Sequence, residues 1–289
     1  MKDKIKRLTD IILGKEMGVL PGNLAYSFFF AIIPVLSILF YLLTSFNLPV
    51  DVIQKFLSET FPSSVVDLLQ PIFNSSMTID SLIPMIIGIC VATCGCFAIN
   101  LASNTIYNVE NGPLLRRIIK SIFMIMMIII LLAFILVVPL LGSTIINVIS
   151  SVTPFMSENQ TVVDILYFIL QVPVSLIIMF YIIKLIYVIA PDSRISGKSV
   201  NKGALFTTIS WLIATIIFSY YINNIARYDR VYGNLANIAM LLFYFYILAY
   251  VFTLGMFLNK SDNEKAIERT NTIKLEELRK KIQKDQSSK

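Results

Sequence analysis

Apolar residues fall along this chain in six long stretches, at residues 22–46, 81–107, 118–142, 162–190, 203–224 and 235–258, with polar segments between them. A bilayer's hydrocarbon core is about 30 Å thick and needs about 20 mostly apolar residues to cross it as a helix. Each stretch meets that length. The pattern therefore predicts an all-α, polytopic membrane protein with six transmembrane helices. The third stretch is the plainest, with no charge and a single proline from Ser121 to Leu140. Pro34, Pro84 and Pro173 fall inside others, and each frees a backbone carbonyl that neighbouring helices or water must satisfy.

Composition strengthens this reading. Of 289 residues, 56% are apolar and only 15% charged, against about 25% charged in soluble domains. Mean hydropathy is +0.77. The chain has no histidine, which removes serine–histidine and cysteine–histidine catalysis and any histidine-bearing zinc site. Cys90, Cys94 and Cys96 lie together in one apolar stretch. They are read as small packing residues, since no carboxylate or imidazole beside them completes a metal site. No cofactor is expected.

Charge sets the orientation. Of 24 Lys and Arg residues, 20 precede the first stretch, follow the sixth, or fall in the second-to-third and fourth-to-fifth connections and their edges. The other side has Lys55, Arg227 and Arg230, and Lys184 is inside a stretch. The positive-inside bias then places both termini in the cytoplasm. The same bias, with anionic lipid as the partner, accounts for the +6 net charge without a nucleic acid. No cleavable signal peptide is expected, because the first apolar stretch is span-length and follows about 20 charged and mixed residues.

Three segments outside the spans are distinguished. Residues 1–21 carry Ile5, Leu8, Ile11 and Ile12 at helical spacing among lysines, as in an amphipathic helix on the inner leaflet. Residues 51–78, with Pro62 and Pro71, are read as short helices capping the outer face or as an ordinary loop. Residues 259–289 form a charged cytoplasmic tail. The transmembrane domain is then 22–258.

The second stretch is the most informative. Gly88, Ala92, Cys96, Asn100 and Asn104 recur every fourth residue, with Cys90, Cys94, Ala98 and Ala102 beside them. Small residues at this spacing let helices approach closely, so this helix is expected at the centre of the bundle. The third stretch, aliphatic nearly all round, is expected to face lipid. Asn100 and Asn104 have two readings: interhelical hydrogen bonds, or the lining of a polar cavity that meets a substrate headgroup. Lys184 likewise either snorkels toward the cytoplasmic edge or contacts an anion. At the outer edge, Arg227, Tyr228, Asp229, Arg230 and Tyr232 form a candidate interface, either ion-paired within the loop or meeting lipid phosphate. Gly233 is assigned a turn there.

Several residues have a familiar order. Leu24-Ala25-Tyr26 is followed by Pro34, Asn104 and Tyr107 by Pro113 and Arg116-Arg117, and Tyr187 by Pro191. Gly203-Ala204, Trp211, Phe218, Tyr221, Tyr228 and Tyr232-Gly233-Asn234-Leu235 complete the series. It resembles the YihY/BrkB membrane protein family, once labelled ribonuclease BN, over nearly the whole chain up to Asn259. Two departures stand out. Where that family usually has Gly-Ala-Glu-Leu-Asn, this chain reads Gly255-Met256-Phe257-Leu258-Asn259, and Asn234 replaces the usual serine. A mechanism that needs the lost carboxylate does not carry over.

The resemblance implies a six-helix protein of the bacterial cytoplasmic membrane, in a family linked with serum resistance and envelope lipid handling. It marks Pro34, Tyr187, Pro191, Trp211 and Gly233 as motif positions, and Tyr26 joins Asn100, Asn104 and Lys184 as cavity-lining candidates. The expected function is a transporter or flippase-like protein acting on a lipid or amphiphile, with no nucleotide-binding loop to drive it. The alternative is a non-enzymatic scaffold. Ribonuclease activity is not expected, since metal-assisted cleavage needs clustered histidines and carboxylates.

Overall fold

A computed structural model describes residues 14–45, 82–152, 160–224 and 238–260 of the chain. Six helices make up these segments: α1 (Lys15–Ser45), α2 (Leu82–Tyr107), α3 (Leu114–Val152), α4 (Gln160–Ile189), α5 (Asn201–Asn224) and α6, described over Ile238–Lys260. No strand occurs among the described residues. Five helices carry a stretch long and apolar enough to cross a membrane: Lys15–Leu36, Gly88–Tyr107, Leu114–Phe134, Asn201–Tyr221 and Ile238–Lys260. In α4 the apolar stretch is Pro173–Ile189.

The helices start and stop close to the apolar stretches that predict them, with two differences. α1 begins at Lys15 and runs unbroken through Gly22, so no break in the helix marks the expected division at residue 21. Its Met17 and Leu20 are buried, which gives this turn a packed face. α3 extends over 39 residues, about 58 Å at 1.5 Å per residue, far more than one crossing requires.

α2 lies at the centre. The share of buried residues is 56% over Gly88–Tyr107 but 28% over Leu114–Phe134. The row of small residues explains this. A Cβ on Gly88 would come within 2.9 Å of the Pro34 side chain, and one on Gly95 within 3.1 Å of Ala31, so α1 and α2 approach where neither has bulk. Ala92, Cys96, Asn100 and Asn104 are all buried, whereas Cys90 and Cys94, in the parallel row, are exposed. Over residues 114–134, α3 turns Ile118, Ile119, Ile122, Phe123, Met126 and Ile130 outward and keeps Arg117, Ser121, Met124, Ile125 and Leu131 inside.

α6 is gripped by three helices around one ring. Phe252 stacks on Trp211 of α5 (centroids 6.0 Å apart), lies against Tyr187 of α4 (4.7 Å) and meets Phe28 of α1 edge-on (6.4 Å). Such ring pairs add about 0.5–1.5 kcal/mol each beyond their buried area.

Candidate functional site

The connections α2–α3 and α4–α5 meet at one end of the bundle, and a polar layer forms where they touch. α2 ends in a left-handed residue: Asn108 has φ 53°. The Asn108 amide bonds the Thr105 carbonyl and the Val109 amide the Asn104 carbonyl, closing the helix in a Schellman turn. That turn throws the chain back across the end of α2 and brings Asn111 and Gly112 toward Asn104. α4 stops at Pro191, which cannot continue its hydrogen bonding. The next residue is Asp192.

Asp192 is the hub of the layer. Its side chain is 2% exposed. Oδ1 accepts from Lys120 Nζ at 2.7 Å, and Oδ2 accepts from Asn104 Nδ2 at 2.8 Å and from the Gly112 amide at 3.0 Å. The Asp192 amide in turn donates to Asn104 Oδ1 at 2.8 Å, so the two residues pair reciprocally. Asn104 Nδ2 also donates to Asn111 Oδ1 at 3.0 Å. Burial alone would raise the Asp192 pKa, but the hydrogen bonds from Lys120, Asn104 and Gly112 and the charge of Lys120 outweigh it and hold the carboxyl at about 2. The helix ends help: a carboxylate sits before the N-terminus of α3 and the Lys120 ammonium bonds the Pro191 carbonyl at 2.7 Å, just past the C-terminus of α4.

Asn100, one turn deeper on α2, continues the layer inward. Its Nδ2 donates to the Ala190 carbonyl at 2.5 Å and its Oδ1 accepts from Arg117 Nε at 2.6 Å. Arg117 Nε lies 3.8 Å from Asp192 Oδ2, and its guanidinium carbon stands 4.2 Å above the Phe97 ring. Arg117 Nη2 is buried and meets no partner among the described residues.

A second polar group ties α4, α5 and α6 together without charge. Tyr187, 1% exposed, donates to the Phe252 carbonyl at 2.8 Å, so the Thr207 hydroxyl at 2.7 Å must donate to Tyr187. The Gly203 amide donates to Asn259 Oδ1 at 2.8 Å. Here the helices touch backbone to backbone: a Cβ on Gly203 would lie 2.2 Å from the Gly255 carbonyl oxygen, and one on Gly255 2.2 Å from Thr207 Oγ1. Tyr107 Oη and Asn259 Nδ2 are also buried, with the two side chains facing one another, and Ser103 Oγ is buried without a partner among the described residues.

The expected site residues separate. Asn100 and Asn104 come together with Arg117, Lys120 and Asp192. Lys184 does not join them. Its Nζ sits 5.9 Å and 5.8 Å from the Phe180 and Tyr181 rings, and its Cε would be 3.7 Å from a Cβ on Gly197, in the connection that follows α4. Tyr26 is 60% exposed and pairs with Phe30 on α1. Among the motif positions, Pro34 receives Gly88, Pro191 is buried with its carbonyl on Lys120, and Trp211 Nε1 donates to the Leu248 carbonyl at 2.9 Å. Phe257, in place of the family's carboxylate, is partly buried against the apolar core. Gly233, the outer group Arg227, Tyr228, Asp229, Arg230 and Tyr232, the 51–78 segment, the 261–289 part of the tail and residues 1–13 lie outside the described residues. No group of three metal-ligating side chains occurs among the described residues.

Asp192 is the functional candidate that sequence reasoning passed over. It is the one carboxylate in a connection otherwise carrying Arg194, Lys198 and Lys202, and that isolation is the signal. Gly203 and Asn259 appear in the family-like series, but their contact with one another does not follow from their order.

Comparison with known proteins shows the family. The family described as Virulence factor BrkB matches residues 12–277. The ribonuclease-like protein YfkH of Bacillus subtilis is 26% identical over 239 residues, 81% of this chain and 86% of its own length. UPF0761 membrane proteins of Pseudoalteromonas translucida and Chlorobium luteolum are 31% and 32% identical over 93 and 63 residues, covering 32% and 22% of this chain and 31% and 15% of theirs. No solved structure matches the chain.

Proposed function

Because this chain belongs to the BrkB virulence-factor family of membrane proteins, we propose that it handles the polar headgroup of a lipid or amphiphile in the cell envelope, as a transporter or flippase-like protein rather than an enzyme. The observation that carries this reading is the charged layer of Asn100, Asn104, Arg117, Lys120 and Asp192 at one end of the bundle. Ionisable groups inside membrane helices are expensive and are found on substrate and ion paths. In this reading all six helices cross the cytoplasmic membrane, both termini are cytoplasmic, and the layer lies at the cytoplasmic side, where the basic residues cluster. Labelling of a cysteine at the carboxyl terminus in intact cells tests the orientation; reaction from outside overturns it. Liposomes containing the purified protein test the activity. Faster equilibration of a labelled phospholipid between leaflets is expected, and rates equal to those of empty liposomes would end the reading.

A second reading rests on the saturation of Asp192. A carboxylate that accepts from three donors is a clamp, and a rigid clamp suits a membrane scaffold that binds other envelope proteins. Removal of residues 262–289 separates the two: partners lost with lipid movement unchanged favour the scaffold. Catalysis by RNA cleavage has no support in the residues present, although a relative is named ribonuclease-like. Purified protein with added divalent metal is expected to leave RNA intact, and robust cleavage would overturn that.

A further inference from the structure

The polar layer has one charge and one donor too many. Arg117, Lys120 and Asp192 bring two positive charges and one negative into a place where their side chains keep only 10%, 17% and 2% of their exposure. Asp192 already accepts from Lys120, Asn104 and Gly112, and the single contact it gives Arg117 is at Nε, 3.8 Å away. Arg117 Nη2 is left buried without a partner among the described residues. A buried charged donor in that condition costs more than a neutral one. An anion would satisfy both excesses at once.

The guanidinium is also held ready. The Phe97 ring 4.2 Å below it fixes its plane, and the hydrogen bond from Nε to Asn100 fixes its rotation. A planar fork immobilised before the ligand arrives loses little freedom on binding, and its geometry suits an oxyanion. Arg117 leaves the first turn of α3, where the positive end of the helix dipole adds to its field. Exposed Arg116, in the first turn of α3, and Arg194 and Lys198, in the α4–α5 connection, raise the local concentration of anions.

We propose that Arg117, oriented by Phe97 and Asn100, binds a phosphate-bearing anion at this end of the bundle, either the headgroup of an anionic lipid or free inorganic phosphate. The lipid source rests on the lipid-handling reading above; the binding itself is measured without any transport.

The test uses the full chain in nanodiscs. In one arm, phosphatidylcholine discs with and without phosphatidylglycerol are compared by thermal unfolding and by native mass spectrometry of retained lipid. In the other, inorganic phosphate is titrated into phosphatidylcholine discs against chloride at equal ionic strength. Wild-type protein is expected to retain phosphatidylglycerol, or to be stabilised by phosphate if the free anion is the ligand. Arg117→Gln is expected to weaken that binding about tenfold, the loss of one charge-assisted hydrogen bond. Arg117→Lys should bind with intermediate strength, because it keeps the charge and not the fork. Absence of both kinds of binding in the wild type overturns the proposal. So does an Arg117→Gln protein whose baseline stability falls while its gain from added anion is unchanged, since that is a structural role only. Should Arg117→Gln fail to fold, Phe97→Leu leaves the charge and removes the ring, and unchanged anion binding in it is equally fatal. Arg117-dependent binding in a wild type that moves no lipid keeps this site and removes the transport reading; lipid movement with no Arg117-dependent binding does the reverse.

Discussion

The two polar regions of this bundle hold helices together by opposite means. Around Asp192 the helix ends of α2, α3 and α4 are joined through charge, at hydrogen-bond distances of 2.7–3.0 Å. Around Gly203 and Gly255 the joint is neutral, and the helices meet because neither glycine has a side chain. The first depends on pH, the second on volume. The contrast shows what each kind of tie demands of a sequence: a charged tie needs all its partners present, while a close crossing needs something missing.

The largest effect should come from breaking the charged tie. Asp192→Ala leaves Lys120 and Arg117 unpaired in a buried place, and a loss of about 3–5 kcal/mol is expected, read as the midpoint of unfolding in detergent. An effect no greater than that of a neutral substitution would show the tie to be ornamental. Next comes the crossing. Gly203→Ala sets a Cβ 2.2 Å from the Gly255 carbonyl oxygen and 2.3 Å from Asn259 Oδ1, and backbone cannot step aside as a flexible side chain can. A loss of about 3 kcal/mol is expected, at the upper end for overpacking. Gly18→Ala is the control: nothing lies within 4 Å of that added methyl, so a neutral result or a gain of up to about 1 kcal/mol from helix propensity should follow.

Acid separates the two regions directly. The Asp192 carboxyl lies at about 2 against an ordinary 3.8. A depressed pKa means stabilisation that is complete above the unfolded value and disappears as pH falls toward the folded one. Between about pH 4 and pH 2 the wild type should lose about 2 kcal/mol relative to Asp192→Asn; parallel titration curves would contradict the clamp. A smaller loss is expected for Tyr187→Phe, which removes both the hydrogen bond to the Phe252 carbonyl and the one accepted from Thr207 and should cost about 1–1.5 kcal/mol with no pH dependence.

Helix extents were legible because an apolar run of span length has few other uses. The stretch at 81–107 became Leu82–Tyr107 and that at 203–224 became Asn201–Asn224. The central place of α2 was legible in Gly88, Ala92 and Cys96, whose spacing is itself a statement about close approach. What periodicity leaves out is which helix ends meet. Asn104 and Asp192 are 88 residues apart, and nothing in either segment names the other. Lys184 drew notice because a charge inside a span is conspicuous, whereas Asp192, in a connection, resembles any solvated acid until its neighbours are known. The Arg117 ring contact was hidden for the same reason: Phe97 belongs to an apolar run in which one more aromatic carries no signal.

One carboxylate shared by three helix ends has a mechanical consequence. α2, α3 and the end of α4 cannot separate here one at a time, since any of them leaving strands a charge among the others. They form a keystone: one acid holds three helix ends in register, and its removal frees all three at once.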